Sequence, residues 1–504
     1  MKICDWLERL SYELLQGNLE ETVDEVIYDS RKARENSVFV CIKGSVRDSH
    51  DFIPDVIEKG CRVLVVEHAV DVPAEVTVLK VENGRLALAE LSAARFGYPA
   101  EKLTTIGITG TKGKTTTSYM IKTILEAAGK KTGLIGTNGA VIGDEHIPTA
   151  NTTPESYVVQ EFFAKMVEAG CDCVVMEVSS QALMLHRVGG IVFDFGLFTN
   201  ISPDHIGPNE HESFEEYVFY KSKMLQVCKT GVVNINMDHY EEVVKEATCK
   251  LYTYGLETDA DFRGDSIHYA NDHDFVGIEF QVHGDLGGRV RVGMPGKFNA
   301  DNALAALSVC TLAISQMPEH VETFDEKPEI SAYTKRKLLH ALEQIRVDGR
   351  MEIAHVSKIC SVIIDYAHNA MSMESLLATL RDYNPNRLVC VFGCGGNRAK
   401  DRRYSMGEIG GKMADLCVIT ADNPRFEKNE DIIKDIEIGL AKTDGRYIVI
   451  PDRRDAIFAA IHNAEEGDMV AIIGKGHEDY QEIEGIRHHF KDREVVEEAV
   501  KEMA

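Results

Sequence analysis

A chain of 504 residues with 44% hydrophobic and 27% charged side chains is long enough for about three globular cores and shows no bias toward disorder or a fibrous repeat. Its formal charge of -26 makes the average surface repel polyanions, which argues against a sequence-independent grip on nucleic acid or anionic lipid; a small anionic ligand would need cations gathered locally. The opening MKICDWLERL lacks the apolar core of a signal peptide and no later run reaches membrane-spanning length, so the expectation is a cytoplasmic protein, monomeric, with no membrane insertion and no nucleic-acid partner.

Twelve cysteines are scattered without a CxxC pair, which reads as reduced, structural thiols rather than zinc ligands or disulfides. In chain order, residues 1–100 mix helical and strand patterns, with a polar loop at DSRKARENSVFVCIKG feeding a strand near Val38 to Ile42: a small α/β domain. From Leu103 the pattern becomes short apolar runs alternating with helical stretches (TTIGITG, KTGLIGT, CDCVVMEV, FDFGLFTN, GVVNIN), which predicts a mostly parallel sheet with helices on its faces. Asp259 to Met294 is strand-rich, GKFNADNALAALSVC starts a helix, and Met317 to Thr334 reads as polar surface. With a boundary at Gln344, the central domain is 101–344. Residues 345–504 then repeat the alternation in SVIIDYAHN, LVCVFGCGG, DLCVITADNPR, RYIVIPD and MVAIIGKGHEDYQ, a Rossmann-like unit with binding residues expected at its strand ends.

The strongest single feature is TTIGITGTKGKTTTSYMIKTILEAAG: an apolar strand, a glycine turn, then an amphipathic helix, the order a phosphate cradle requires. Gly110 and Gly113 allow close backbone approach, the helix start turns its amides and positive dipole end toward an anion, Lys114 would neutralise β and γ phosphates and Thr115 would hold magnesium. The general GxxxxGK[ST] spacing is only partly met, since Ile108 stands where its first glycine would be.

The variant GTKGKTT closely resembles the ATP loop of the Mur ligases and folylpolyglutamate synthases. Further blocks of that family follow in order: NTTP at Asn151, EVSS at Glu177, HRV at His186, TNISPDH at Thr199, YKS at Tyr220, GKFNADNALAA from Gly296, GRME at Gly349 and DYAH at Asp365. The stretch YDSRKARENSVFVCIKGSVRDSHDFI is similar to the uridine-diphosphate-binding domain of those members that add the third residue to a UDP-linked cell-wall precursor. The resemblance covers nearly the whole chain and implies a three-domain α/β ligase of peptidoglycan precursor synthesis, using ATP and two magnesium ions to form an amide bond through an acyl phosphate.

Residue by residue, the resemblance implies an ATP site of Gly110, Thr111, Lys112, Gly113, Lys114, Thr115 and Thr116, joined by Asn299, Asn302, Arg350, Asp365 and His368. It gives magnesium to Thr115, Glu177, His205 and Lys221, the last as a carbamate, and makes Lys114, Lys221 and Arg350 catalytic. The UDP-linked dipeptide would meet Ser30, Asn151, Thr152, Thr153, Ser179 and Arg187. The run DNPR resembles the signature for meso-diaminopimelate: Asp422, Asn423, Pro424 and Arg425, with Arg398, Gly474 and Glu478 completing the pocket, Arg425 pairing with the distal carboxylate and Glu478 receiving the distal ammonium. The chain departs from the family pattern at Asn369, Ala370 and Met371 after DYAH, at Gln181 after EVSS and at Leu185. Those departures leave room for a paralogue with another acceptor or amino acid, such as L-lysine; a separate alternative is a non-catalytic nucleotide-binding relative, against which Lys114, Glu177, His205 and Lys221 together argue.

Overall fold

Most of the short apolar runs become strands buried on both faces, because helices on either side of a parallel sheet leave them no solvated face; the edge strand Tyr447–Val449 is exposed. The computed structural model describes residues 1–44, 47–204, 206–207, 210–272, 274–324 and 327–503. They divide into two compact units: residues 1–255, 260–262 and 305–331, and residues 256–259, 263–304 and 332–504.

The first unit begins with a five-stranded sheet in the order Glu13–Gln16, Thr77–Lys80, Val63–Val66, Ser37–Val40, Glu25–Ile27, parallel except for the first strand. Helix Gly84–Arg95 covers it with Ala87, Leu88 and Leu91, which pack on Trp6, Val38, Val63 and Leu79. The sheet around the glycine turn runs Lys250–Leu256, Cys228–Asn234, Phe193–Phe198, Thr104–Thr109, Cys173–Glu177, Thr132–Gly136, all parallel, and ends in the antiparallel strands Gly139–Ile142 and Glu145–Ile147. Thr104–Thr109 lies between Phe193–Phe198 and Cys173–Glu177, which diverge in chain order, so the loop after it opens at a topological switch point. The two layers are joined by Arg85 to Glu155 at 3.3 Å and by the Tyr157 hydroxyl, which donates to Glu25 Oε1 at 2.8 Å.

In the second unit the strand-rich stretch forms an antiparallel ladder of Phe262–Asp272, Phe275–Val282 and Gly288–Val292. Its other sheet runs Glu352–Val356, Cys360–Asp365, Asp468–Ile473, Leu388–Phe392, Leu416–Ile419, Tyr447–Val449, parallel after its antiparallel first strand. The core between this sheet and helices Arg453–His462 and Asp492–Met503 is built from Val362, Val391, Ile457, Ile461, Val470 and Val496. The stretch read as polar surface contains a hairpin, Val321–Phe324 with Lys327–Ile330. Four-residue strands carrying Pro328, in a stretch with five acids from Glu319 to Glu329, show too little alternation to read as a pair.

Among the described residues, one helix, Phe298–Ser315, is long and apolar enough to cross a membrane, and 78% of its apolar window is buried inside the protein.

Candidate active site

Strand Thr104–Thr109 ends at Gly110, whose φ of +143° and neighbours exclude a side chain: a Cβ there would lie 2.0 Å from Thr199 Oγ1. The turn is held by main chain and by Asn200. Thr111 N–H donates to Asn200 O at 3.0 Å, Lys112 N–H to Asn200 Oδ1 at 2.8 Å, and Asn200 Nδ2 to Lys112 O at 3.0 Å. Gly113, at φ +83°, is the N-cap of helix Lys114–Ala127, and no side chain caps that helix. Helices Ser156–Glu168 and Phe214–Ser222 of the same unit are capped by Glu155 and Ser213. The first turn at Lys114 thus takes no cap from its own N-cap residue, and a glycine entry to a helix start is an arrangement that lets phosphate oxygens approach.

Two lysine side chains converge on one carbonyl. Lys114 Nζ donates to Gly110 O at 2.8 Å and Thr111 O at 3.1 Å, and Lys221 Nζ donates to the same Gly110 O at 2.7 Å. Lys221 projects from helix Phe214–Ser222 and is 1% exposed. Burial and then the Lys114 cation pull its pKa well below the ordinary lysine value, against an opposing pull from Asp204. A buried amine so placed is neutral far more often than a surface lysine.

Beside them Glu177, at the end of Cys173–Glu177, is fully buried. Its carboxylate accepts from Thr115 Oγ1 at 3.0 Å, from Thr137 N at 2.9 Å and from Thr137 Oγ1 at 3.2 Å. These are hard oxygen donors of the kind magnesium prefers. Among the described residues no three carboxylate, imidazole or thiol groups gather into a cation cage, so a magnesium ion here would draw on one carboxylate and on phosphate oxygens, its usual mode. His205, expected as a further ligand, lies outside the described residues. Thr116 is buried in the first helical turn.

The expected acceptor residues sit around the same strand end. Thr153 Oγ1 donates to Glu177 O at 2.9 Å and accepts from Ser179 N at 3.0 Å; Arg187 Nη1 donates to Thr153 O at 3.1 Å. Thr152 Oγ1 is 3.1 Å from Thr137 Oγ1, and Asn151 is exposed beside it. The buried Arg187 Nε has no hydrogen-bond partner and stands 3.9 Å from Glu155, a cation with spare capacity for a carboxylate. Ser30 stands apart from this cluster, in the short turn Ser30–Lys32, where its carbonyl accepts from Lys59 Nζ at 2.8 Å.

In the second unit Asp365 ends strand Cys360–Asp365 and accepts from Met351 N and Ala367 N, both at 2.8 Å. Arg350 lies 5.6 Å from the Tyr366 ring, which meets His368 at 4.8 Å and His477 at 5.0 Å. Asn299 Nδ2 donates to Pro295 O at 2.7 Å and Asn302 Nδ2 to Asn299 Oδ1 at 3.0 Å, so both amides brace their own helix start. His477 was missed in the sequence; its place in GKGHEDYQ, beside a strand end, was the available signal.

The amino-acid residues collect at the ends of Leu388–Phe392, Leu416–Ile419 and Asp468–Ile473. Asn423 Nδ2 donates to Glu478 Oε2 at 2.8 Å, and the fully buried Lys475 donates to Asn423 Oδ1 and Glu478 Oε2, each at 3.2 Å. Arg425, at φ +53°, donates through Nη1 to Gly396 O at 2.7 Å and pairs with Glu482 at 3.5 Å; Pro424 is buried before it and Arg398 is exposed on the facing loop. At Gly474, φ +112°, a Cβ would fall 2.6 Å from Asp422 Oδ2, so the two segments touch. Burial pushes the Asp422 carboxyl up despite the opposing pull of Arg453 and Lys475. Lys475 and Arg453 went unread in the sequence. Arg453 is wholly buried, forks onto Asp492 with two bonds of 2.7 Å, and donates to Ala421 O at 3.2 Å and Ile473 O at 3.1 Å, tying the strand ends that carry Asp422 and Gly474.

Compared with known proteins, the sequence matches the Mur ligase family catalytic domain over residues 22–96, the Mur ligase middle domain over 108–310 and the Mur ligase glutamate ligase domain over 349–476. It is 40% identical, across the full length of both chains, to UDP-N-acetylmuramoyl-L-alanyl-D-glutamate--2,6-diaminopimelate ligase 1 of Clostridium acetobutylicum. It is 38% identical to the Clostridium perfringens ligase of the same substrates, over 97% of each chain. A solved structure of a UDP-N-acetylmuramoyl-L-alanyl-D-glutamate--2,6-diaminopimelate ligase superposes with a TM-score of 0.74 at 26% identity, covering 100% of this chain and 99% of that one.

Proposed function

We infer the reaction from one premise, that the chain belongs to the Mur ligase family. It is an ATP-dependent ligase that joins the amine of meso-diaminopimelate to the glutamate carboxylate of UDP-N-acetylmuramoyl-L-alanyl-D-glutamate, in the cytoplasm and as a monomer. The observation that carries this reading is the meeting of Lys114 and Lys221 at Gly110 O beside the buried Glu177.

A carboxylate is a poor electrophile, so it must be activated. Its oxygen attacks the γ-phosphorus of ATP and ADP leaves; the incoming amine then attacks the carbonyl carbon of the acyl phosphate, phosphate leaves, and the amine gives up a proton. Lys114 and the helix start entered through Gly113 offset the charge that gathers on the phosphoryl oxygens. Magnesium, when bound against Thr115 and Glu177, supplies further neutralisation of those oxygens. Arg187, with its unpartnered Nε, holds the acceptor's carboxylate near Thr153 and Ser179. Lys221 works as a carbamate: its neutral amine adds carbon dioxide and loses a proton, leaving an anion next to Lys114. The Tyr366, His368 and His477 rings with Arg350 offer flat and cationic surfaces to the nucleotide. Arg425 and Arg398 take the distal carboxylate of the amino acid, and Glu478, oriented by Asn423 and Lys475, takes the distal ammonium. L-lysine lacks that carboxylate and forgoes the pair with these guanidiniums, which is the basis of selection.

The test is phosphate release by purified protein with ATP, magnesium and UDP-N-acetylmuramoyl-L-alanyl-D-glutamate, adding meso-diaminopimelate or L-lysine. Release that depends on meso-diaminopimelate is expected; release with lysine alone overturns the specificity, and no release with either overturns the ligase reading.

A further inference from the structure

The two loops that carry the arginines of the amino-acid site are stitched to each other. Gly396 N–H donates to Asn423 O at 2.9 Å, Asn397 N–H donates to Glu427 Oε1, and Phe426 N–H donates back to Asn397 Oδ1 at 3.2 Å. Arg425 closes the seam on Gly396 O. Asn397 and Arg425 both sit at positive φ, 54° and 53°, a region an asparagine adopts readily but an arginine holds only where the surroundings enforce it. One of these residues precedes Arg398, and the other is itself a substrate arginine.

Arg425 is held by its main chain, its N–H donating to Glu482 O at 3.0 Å and its carbonyl accepting from Glu484 N at 2.6 Å, whereas the Asn397 side of the seam is held through Glu427 by a buried cation. Arg403, on helix Asp401–Met413, is 1% exposed; its Nη2 donates to Glu427 Oε1 at 2.7 Å and its Nη1 to Asp435 Oδ2 at 2.9 Å, on helix Asn429–Leu440. Glu427 Oε1 thus receives the guanidinium and the Asn397 amide together. Moving the Glu427 loop would separate a desolvated cation from its carboxylate, which is costly, and moving the Asn397 loop would break its amide from that same carboxylate. We propose that Arg403 is a positioning residue for amino-acid selection: acting through Glu427, it fixes the spacing and aim of Arg398 and Arg425 toward the distal carboxylate. The proposal rests on the function inferred above, and Arg403 itself touches no substrate.

The test compares the full-length wild type with Arg403→Met and with the milder Glu427→Gln, which keeps an acceptor for the Asn397 amide but loses the ion pair. Phosphate release is followed at saturating ATP and UDP substrate while meso-diaminopimelate or L-lysine is varied. Both variants are expected to raise KM for meso-diaminopimelate by about tenfold, to change kcat by less than about threefold, and to lower the preference over lysine by a similar factor, as expected when a recognition geometry loosens. The double variant should be no worse than Arg403→Met alone, because both break one interaction. An unchanged KM in Glu427→Gln overturns the proposal even where Arg403→Met fails to fold, and so does an equal fall in every kinetic constant. A wild type that uses lysine and ignores meso-diaminopimelate overturns instead the function on which it stands.

Discussion

The phosphate loop and the amino-acid loops both open at the carboxyl ends of parallel strands, yet they are held by opposite means. The turn at Gly110 is fixed by its own backbone, by Asn200, by the absence of a side chain and by the Lys114 and Lys221 side chains on its carbonyl, so main chain carries much of its shape. The amino-acid site hangs on desolvated ions from elsewhere in its unit: Arg453 with Asp492, Arg403 with Glu427 and Asp435, and Lys475 with Glu478. A backbone cradle binds a group common to every ATP enzyme, whereas a site that must choose between two diamino acids needs side chains aimed by other side chains.

The comparison is broken most directly at Lys114. Lys114→Ala should leave the turn folded, since backbone and Asn200 hold it, and lower kcat by about a thousandfold, the range for loss of a charge that stabilises a transition state. An unchanged melting temperature with lost phosphate release is the expected pair of readings; unfolding would mean that the lysine props the loop. Asp492→Asn tests the other side. It leaves the Arg453 guanidinium buried against a neutral partner and should cost about 3–5 kcal/mol of stability, read as a lower midpoint in thermal melts. The loss should be larger than that of Lys114→Ala.

How legible each site was follows from the same contrast. Strand, glycine turn and helix lie within one contiguous stretch, 104–127, so the phosphate cradle could be read from local pattern alone. The parallel alternation was likewise carried by short β-branched runs that became the strands of both α/β sheets. Arg453 and Asp492 are 39 positions apart, and nothing periodic joins them. Arg403 lies in DRRYSMGEIGGKM, where three charges in a row read as a solvated helix start. One signal was present: Asp435 falls on the apolar stripe of Ile432, Ile433 and Ile436, and an acid on a buried face calls for a cationic partner. Lys221 was named only through resemblance. Its meeting with Gly110 O spans 111 positions and exists only in the folded sheet.

Two smaller effects sharpen the contrast. Arg425→Lys keeps the charge but loses the planar fork, and kcat/KM for meso-diaminopimelate should fall about a hundredfold with KM for ATP unmoved. Smallest is Ser213→Ala, at the N-cap of the helix bearing Lys221, where the hydroxyl accepts from Glu216 N at 3.2 Å. Loss of that cap should cost about 1 kcal/mol. Lys221 is gripped from its other end, by Gly110 O and by the Tyr217 ring 4.9 Å away, so the fraying of a distant first turn should not reach it. Turnover at saturating substrates should therefore stay within about twofold of wild type while the melting temperature drops by a few degrees. A large fall in turnover would mean that the catalytic side of the molecule also depends on remote side-chain support, and the division between backbone-built and side-chain-built sites would not hold.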